Sequence, residues 1–71
     1  MRYPNLRAEM SRRGIRGKDI AKVIGKREAA VSQKFTGKSK IGFTIDEAET
    51  IKDHFNIDIP IEVLFLKEEV S

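Results

Sequence analysis

Between residues 17 and 37 the chain reads GKDIAKVIGKREAAVSQKFTG. Apolar residues recur in this stretch at the spacing of a helical face, and they are Ile20, Ala21 and Ile24, then Val31 and Phe35. Gly25 and Gly37 each follow one of these segments, and glycine ends helices because it takes the left-handed backbone conformation at little cost. The stretch therefore predicts two short helices, over residues 17–24 and from residue 27 or 28 to 36, joined by a tight turn.

One further helix is predicted before this pair and one after it. The first runs to residue 13, with Asn5 as its N-cap and Gly14 as its stop. The fourth begins with a capping box, in which Thr44 caps the helix and Glu47 reaches back from three positions later. The residues expected to face inward from these two helices are Leu6, Met10, Ile45, Ala48, Ile51 and Phe55.

A short fifth helix is predicted at Pro60, because proline favours the first turn of a helix. Residues expected in the core here and elsewhere are Ile61, Leu64 and the phenylalanines Phe35, Phe43, Phe55 and Phe65. No stretch keeps the alternation of a strand. The expected fold class is therefore all-α, a compact five-helix domain over residues 1–71 with a helix-turn-helix motif at about 17–36.

Size and composition indicate which kinds of site and location are not expected. The chain has 71 residues and no cysteine, which predicts a single domain stabilised by its apolar core. His54 is the single histidine, so no metal site is expected, and no nucleophile motif or phosphate-binding glycine loop predicts an enzyme or a cofactor. The chain has no apolar run of membrane-spanning length and no signal-peptide core, so a cytoplasmic location without membrane contact is expected.

Charge is distributed unevenly along the chain. Residues 1–40 carry twelve Lys and Arg against three acids, a net charge of +9, whereas residues 41–71 carry two Lys against eight acids, a net charge of −6. A basic half of this size predicts contact with a polyanion, with the acidic half turned away. The alternative is an unevenly charged, solvated surface.

The same residues carry a resemblance to a known family. Residues 15–25 and 30–40 resemble the Cro and lambda-repressor family of helix-turn-helix regulators, most closely the short phage-type members of low-GC Gram-positive bacteria. Residues 43–48 and 61–65 are also similar to that group, so the resemblance covers nearly the whole chain. Its most specific part is the spacing of Ala21, Gly25, Val31 and Gly37.

Four positions depart from the family pattern. The family has a Thr or Ser cap, a phosphate-binding Gln, an apolar residue and a second Ser or Thr cap where this chain has Arg16, Gly17, Lys26 and Arg27. Loss of a cap costs about 1 kcal/mol. Both motif helices are therefore predicted to be weakly capped, while the turn between them gains two positive charges.

The resemblance implies that the second motif helix lies in the DNA major groove. Carried over by position, the candidate base readers are Glu28, Ala29, Ser32 and Gln33. The candidate phosphate contacts are Arg16, Gly17, Lys18, Lys26, Arg27, Lys34, Thr36, Lys38 and Lys40. Gln33 suits adenine and Glu28 suits cytosine, although an acid in a first helical turn also simply favours the helix dipole.

The C-terminal segment carries a second apolar stripe. Val63, Leu66 and Val70 recur at spacings of three and four, apart from the core-facing residues of the fifth helix. We expect this stripe, within a segment of about 57–70 that offers Ile57 and Ile59 as further candidates, to form a twofold homodimer contact. The alternative is that Leu66 and Val70 belong to a frayed tail.

These features lead to one main functional hypothesis and two others. The main one is a sequence-specific double-stranded DNA-binding transcriptional regulator, a phage- or prophage-type repressor that binds a palindromic operator as a homodimer. The second is a protein-interaction module on the same fold, of antirepressor or antitoxin type, because fold alone does not determine function. RNA binding is the third, and it is disfavoured because no aromatic residue is expected outside the core.

Overall fold

A computed structural model of the chain describes residues 2–39 and 41–67. It contains five helices, α1 (Pro4–Arg13), α2 (Gly17–Ile24), α3 (Glu28–Thr36), α4 (Ile45–Phe55) and α5 (Ile61–Leu64). The described residues contain no strand, and the molecule measures 31 × 24 × 22 Å. The expected fold class, a compact all-α domain of five helices, is confirmed.

The start of α1 differs from the prediction. Tyr3, not Asn5, is the N-cap residue, and it adopts a left-handed conformation with φ 60°. Pro4 then occupies the first helical position, where its fixed φ suits the helix and its missing N–H costs nothing. Asn5 lies inside the helix, and its side-chain amide donates to the carbonyl oxygen of Val63 at 2.8 Å. This bond joins the start of α1 to α5.

The capping box of α4 is confirmed, but its predicted apolar stripe is wrong at one position. The Glu47 N–H donates to Thr44 Oγ1 at 3.2 Å, and the Thr44 N–H donates to Glu47 Oε1 at 3.0 Å. Ile45 is 73% exposed, whereas Ala48 and Ile51 are buried. At about 100° per residue, Ile45 lies roughly a quarter turn from the centre of the buried stripe, so it points away from the core.

The core is a single cluster to which every helix contributes. Its buried residues are Tyr3, Leu6, Met10, Ile20, Ala21, Val31, Phe35, Ile51, Ile57 and Leu64. Four aromatic rings, Tyr3, Phe35, Phe43 and Phe65, meet edge to face with centroids 5.1–6.1 Å apart. The Tyr3 hydroxyl also accepts the backbone N–H of Phe43 at 3.0 Å, so this ring holds the loop between α3 and α4 against α1.

A buried carboxylate joins α1 to the end of α4. Glu9 is 3% exposed, and its two oxygens accept Arg12 at 2.9 Å and Arg13 at 3.0 Å. Arg13 also donates to the carbonyl oxygen of Phe55 at 3.1 Å. A buried charge needs such partners because its desolvation is otherwise uncompensated. Sequence patterning could not identify this site, since an acid on a charged helix usually faces water.

Candidate nucleic-acid interface

Helices α2 and α3 form the motif that the sequence predicts, and both match their expected bounds. Gly25 turns the chain in a left-handed conformation with φ 69°, and the Lys26 N–H donates back to the carbonyl oxygen of Ala21 at 2.9 Å. Helix α2 packs against α3 and also against α4. Ala21 is small and buried, which allows α2 to pack closely against these two helices. Helix α2 therefore lies between α3 and α4.

One side of α3 is uncovered. All four candidate base readers are exposed, namely Glu28, Ala29, Ser32 and Gln33, and Thr36 is exposed as well. Val31 and Phe35 hold the helix from its other side, at 1% and 7% exposure. The readers therefore share a surface that faces solvent, on a helix fixed by its core contacts.

The start of each motif helix is capped differently. At α2 the Asp19 carboxylate accepts the backbone N–H of Arg16 at 2.8 Å, but a guanidinium has no acceptor with which to complete the reciprocal bond. At α3 the N-cap residue Arg27 makes no side-chain cap bond. The prediction of weak capping is confirmed for α3 and is only half right for α2, because Asp19 was overlooked.

Five basic residues flank this exposed side and make no ion pair within the described residues. They are Arg16, Lys18, Lys26, Arg27 and Lys38, and all five are exposed. Gly17 lies among them, at the start of α2, and it lines a groove of about 300 Å³ together with Arg7 and Ser32. Lys18 and Lys26 line a second groove together with Glu28, so cations and candidate readers border one another there.

Of the predicted phosphate contacts, Lys34 points elsewhere and Lys40 has no described position. Lys34 points inward, where its ammonium donates to the carbonyl oxygen of Gly42 at 2.7 Å and lies 3.4 Å from Glu47 Oε1. Because its side chain is only 13% exposed, we remove Lys34 from the phosphate-contacting set. Lys40 lies outside the described residues.

The N-terminal segment supports the end of α3, which the sequence did not indicate. The Arg2 N–H donates to the carbonyl oxygen of Phe35 at 2.8 Å, and the Arg2 guanidinium donates to that of Ser39 at 2.9 Å. Both bonds satisfy carbonyl groups at or beyond the C-terminus of α3. The partners are more than thirty positions apart, so no local pattern could have revealed them.

The predicted dimer stripe is partly exposed. Val63 is 47% and Leu66 is 51% exposed, while Val70 lies outside the described residues. Ile57 is 2% exposed and Ile59 packs against the core, so both must be removed from the candidate contact. Ile57 is buried because the chain turns inward after α4, and the Ile57 N–H donates to the carbonyl oxygen of Lys52 at 3.1 Å.

Other kinds of site find little support in the described part of the chain. It contains no group of three or more His, Cys, Asp or Glu that could hold a metal ion. His54 is exposed and lies edge to face against Phe55 at 4.8 Å. None of the described helices has the length and apolar character needed to cross a membrane.

Comparison with known proteins adds no relative: no family model, curated protein or solved structure matches this chain.

Proposed function

We propose that this protein is a sequence-specific double-stranded DNA-binding transcriptional regulator. The observation that carries the proposal is the uncovered side of α3, bordered by five exposed basic residues that have no acidic partner among the described residues. Patches of unpaired cations next to an exposed helix suit the phosphates on either side of a groove. The resemblance to the Cro and lambda-repressor family extends the proposal to a phage- or prophage-type repressor.

In this proposal α3 enters the major groove. The groove is about 12 Å wide and admits one helix, and the small side chains of Ala29 and Ser32 allow a close approach. Gln33 is the reader best suited to a bidentate contact, with adenine N6 and N7. Glu28 either accepts from cytosine N4 or acts on the helix dipole alone.

Phosphate contacts supply register and most of the affinity. The first intrahelical bonds of α2 are donated by Asp19 and Ile20 to the carbonyl oxygen of Arg16, so the earlier N–H groups of Gly17 and Lys18 are free to hold a phosphate. The side chains around them add charge at the same place. With few polar readers on α3, the affinity of this protein depends mainly on such contacts.

Selection of bound sequences from a random duplex pool tests this proposal. We expect a palindromic consensus with half-sites about 34 Å apart, since dimers of this motif read two successive major grooves. Gln33→Ala should relax the preference at one position in each half-site, by about 1–3 kcal/mol. Asp53→Ala, which changes an exposed residue on α4, is the matched control and should leave the consensus unchanged. Recovery of unenriched sequences would contradict sequence-specific binding.

The homodimer is tested by changing the exposed stripe. Val63→Asp combined with Leu66→Asp places two charges on apolar side chains that are about half exposed, so the fold should survive while the contact is lost. We expect the solution mass to fall to that of a monomer and operator affinity to fall with it, measured by light scattering and by titration. Ile45→Asp, at a 73% exposed apolar position outside the stripe, serves as the control. An unchanged mass in the double variant would remove the stripe from the interface.

The second candidate function is a protein-interaction module on the same fold. It is favoured by one observation, the exposed acids on α4, which include Asp46, Glu49 and Asp53. A basic protein partner would suit them better than DNA would. A cytoplasmic location belongs to both proposals, since their targets are DNA or its regulators.

A further inference from the structure

Helix α3 is held to the rest of the molecule by its buried side chains and by the N-terminal segment. Among the described helices, α2 alone makes close backbone contact with it, and its N-terminus has no side-chain cap. Discrimination between bases requires side chains to be held within about 0.5 Å of their productive position. Phe35 and the bonds from Arg2 hold the C-terminal half of α3, and a further contact there would fix the position of the base readers more closely.

Lys34 supplies such a contact from the inward side of α3. Its ammonium lies 2.7 Å from the Gly42 carbonyl oxygen and 3.4 Å from Glu47 Oε1, and it lies 5.6 Å from the centroid of the Phe43 ring. These three partners belong to the loop after α3 and to the first turn of α4. The contact therefore joins α3, the helix proposed to read the bases, to the loop between α3 and α4.

Glu47 has two roles in this arrangement. Its Oε1 atom, which faces Lys34, also accepts the Thr44 N–H, and this hydrogen bond caps the start of α4. Lys34 and Glu47 side chains are each only 13% exposed, so dissolved salt screens their attraction much less than it screens a surface pair. The position of α3 is in this way linked to the best-capped helix start in the described chain.

We infer that Lys34 and Glu47 are positioning residues that determine which base pairs α3 discriminates, without touching DNA themselves. This inference rests on the proposed DNA-binding function. It assigns affinity and sequence preference to two different groups of charged residues. The exposed cations govern affinity and its salt dependence, whereas the Lys34–Glu47 pair governs sequence preference and is insensitive to salt.

Glu47→Gln is the sharpest variant, because it leaves every candidate DNA contact in place. The amide oxygen still accepts the Thr44 N–H, but the charge that attracts Lys34 is gone. Lys34→Met removes the ammonium and keeps the length of the side chain. Lys38→Met removes an exposed cation from the same region and is the matched control.

Two DNA measurements compare these variants, namely the selected consensus and the slope of log affinity against log salt. We expect Glu47→Gln and Lys34→Met to reduce discrimination between selected and scrambled duplexes about tenfold, with the salt slope unchanged. Lys38→Met should make the salt slope shallower by about one per bound protomer and leave the consensus intact. If Lys34→Met behaves like Lys38→Met, or if Glu47→Gln keeps full discrimination, the inference is overturned although DNA binding stands.

Amide hydrogen exchange tests the same contact in the free protein. The Phe43 and Thr44 amides, which donate to Tyr3 and Glu47, should exchange about tenfold faster in Lys34→Met relative to the Ile20 amide of α2. Dividing these exchange rates by that of the Ile20 amide corrects for any global loss of stability. An unchanged ratio overturns the positioning role. Failure of the wild-type protein to bind any duplex at low salt would instead overturn the proposed function, and the role in base discrimination with it.

Discussion

Replacing Gly42 by alanine is expected to destabilise this protein by about 3 kcal/mol, a loss of more than a hundredfold in its folding equilibrium. Gly42 adopts φ +72°, which is strained for any residue with a Cβ. A Cβ at this position would also overlap the buried hydroxyl oxygen of Tyr3. Strain and overlap each contribute about 1–3 kcal/mol. For a domain of this size, the melting temperature should fall by about 12–24 °C, measured by calorimetry.

Gly14→Ala is the matched control for this prediction. Gly14 has φ +70°, but a Cβ there would meet no atom within 4 Å. It should therefore cost only the backbone strain, about 1 kcal/mol. In a Tyr3→Phe background, which removes the hydroxyl, the cost of Gly42→Ala should fall toward that of Gly14→Ala, with the ring carbon Cζ of residue 3 and Lys67 Cε still 3.3 Å from the added Cβ. Equal costs for Gly42→Ala and Gly14→Ala in the wild-type background would show that the Tyr3 hydroxyl does not crowd this position.

Raising salt from about 50 to 200 mM is expected to weaken duplex binding about 10²- to 10³-fold for each protomer that binds. Each cation placed on a phosphate releases a counterion and contributes about 0.9 to the slope of log affinity against log salt. The five exposed cations beside α3 predict a slope of about −4.5 per protomer, and of about −9 for a bound homodimer. Fluorescence anisotropy on a labelled duplex measures it. Lys26→Ala combined with Arg27→Ala should make the slope shallower by about two per bound protomer and weaken all sequences alike.

A variant with the same change in charge provides the control for this effect. Lys52→Ala combined with Lys67→Ala removes two cations from the acidic half of the chain and should leave the slope nearly unchanged. A slope that responds equally to both double variants would indicate only a net-charge effect. Binding that is insensitive to salt, or absent at low salt, would falsify the nucleic-acid proposal and favour the protein-interaction module.

Local chemistry explains which parts of the fold were predictable. The bounds of α2 and α3 and the capping box at Thr44 depend on residues within a few positions of one another, so a linear pattern contains them. Ile45 was misassigned because spacings of three and four alone do not locate the centre of a stripe. Asn5 was misassigned because a good capping residue followed a proline that prefers the first helical position.

The candidate site likewise has features that the sequence predicted and features that it did not. Exposure of Ala29 and Gln33 followed from their position opposite Val31 and Phe35, which lie one turn apart on the helix. Glu28 and Ser32 lie closer to the buried stripe, and the structure shows that both are exposed. The inward direction of Lys34 did not follow, because its partners lie on a loop and on α4, and a lysine near a helix C-terminus usually meets water. Arg2 and Tyr3 were missed for the same reason, since both contact residues beyond α3.

By itself, the stretch from Gly17 to Gly37 determined that two short helices meet at a glycine turn, because helix periodicity and helix ends are properties of neighbouring residues. It also determined the concentration of positive charge in that half of the chain. Only the tertiary structure decided which of the described cations stay exposed and that Lys34 is held inside. The cost of burying a charge depends on the partners that distant segments bring to it, and those partners are assembled only when the chain folds.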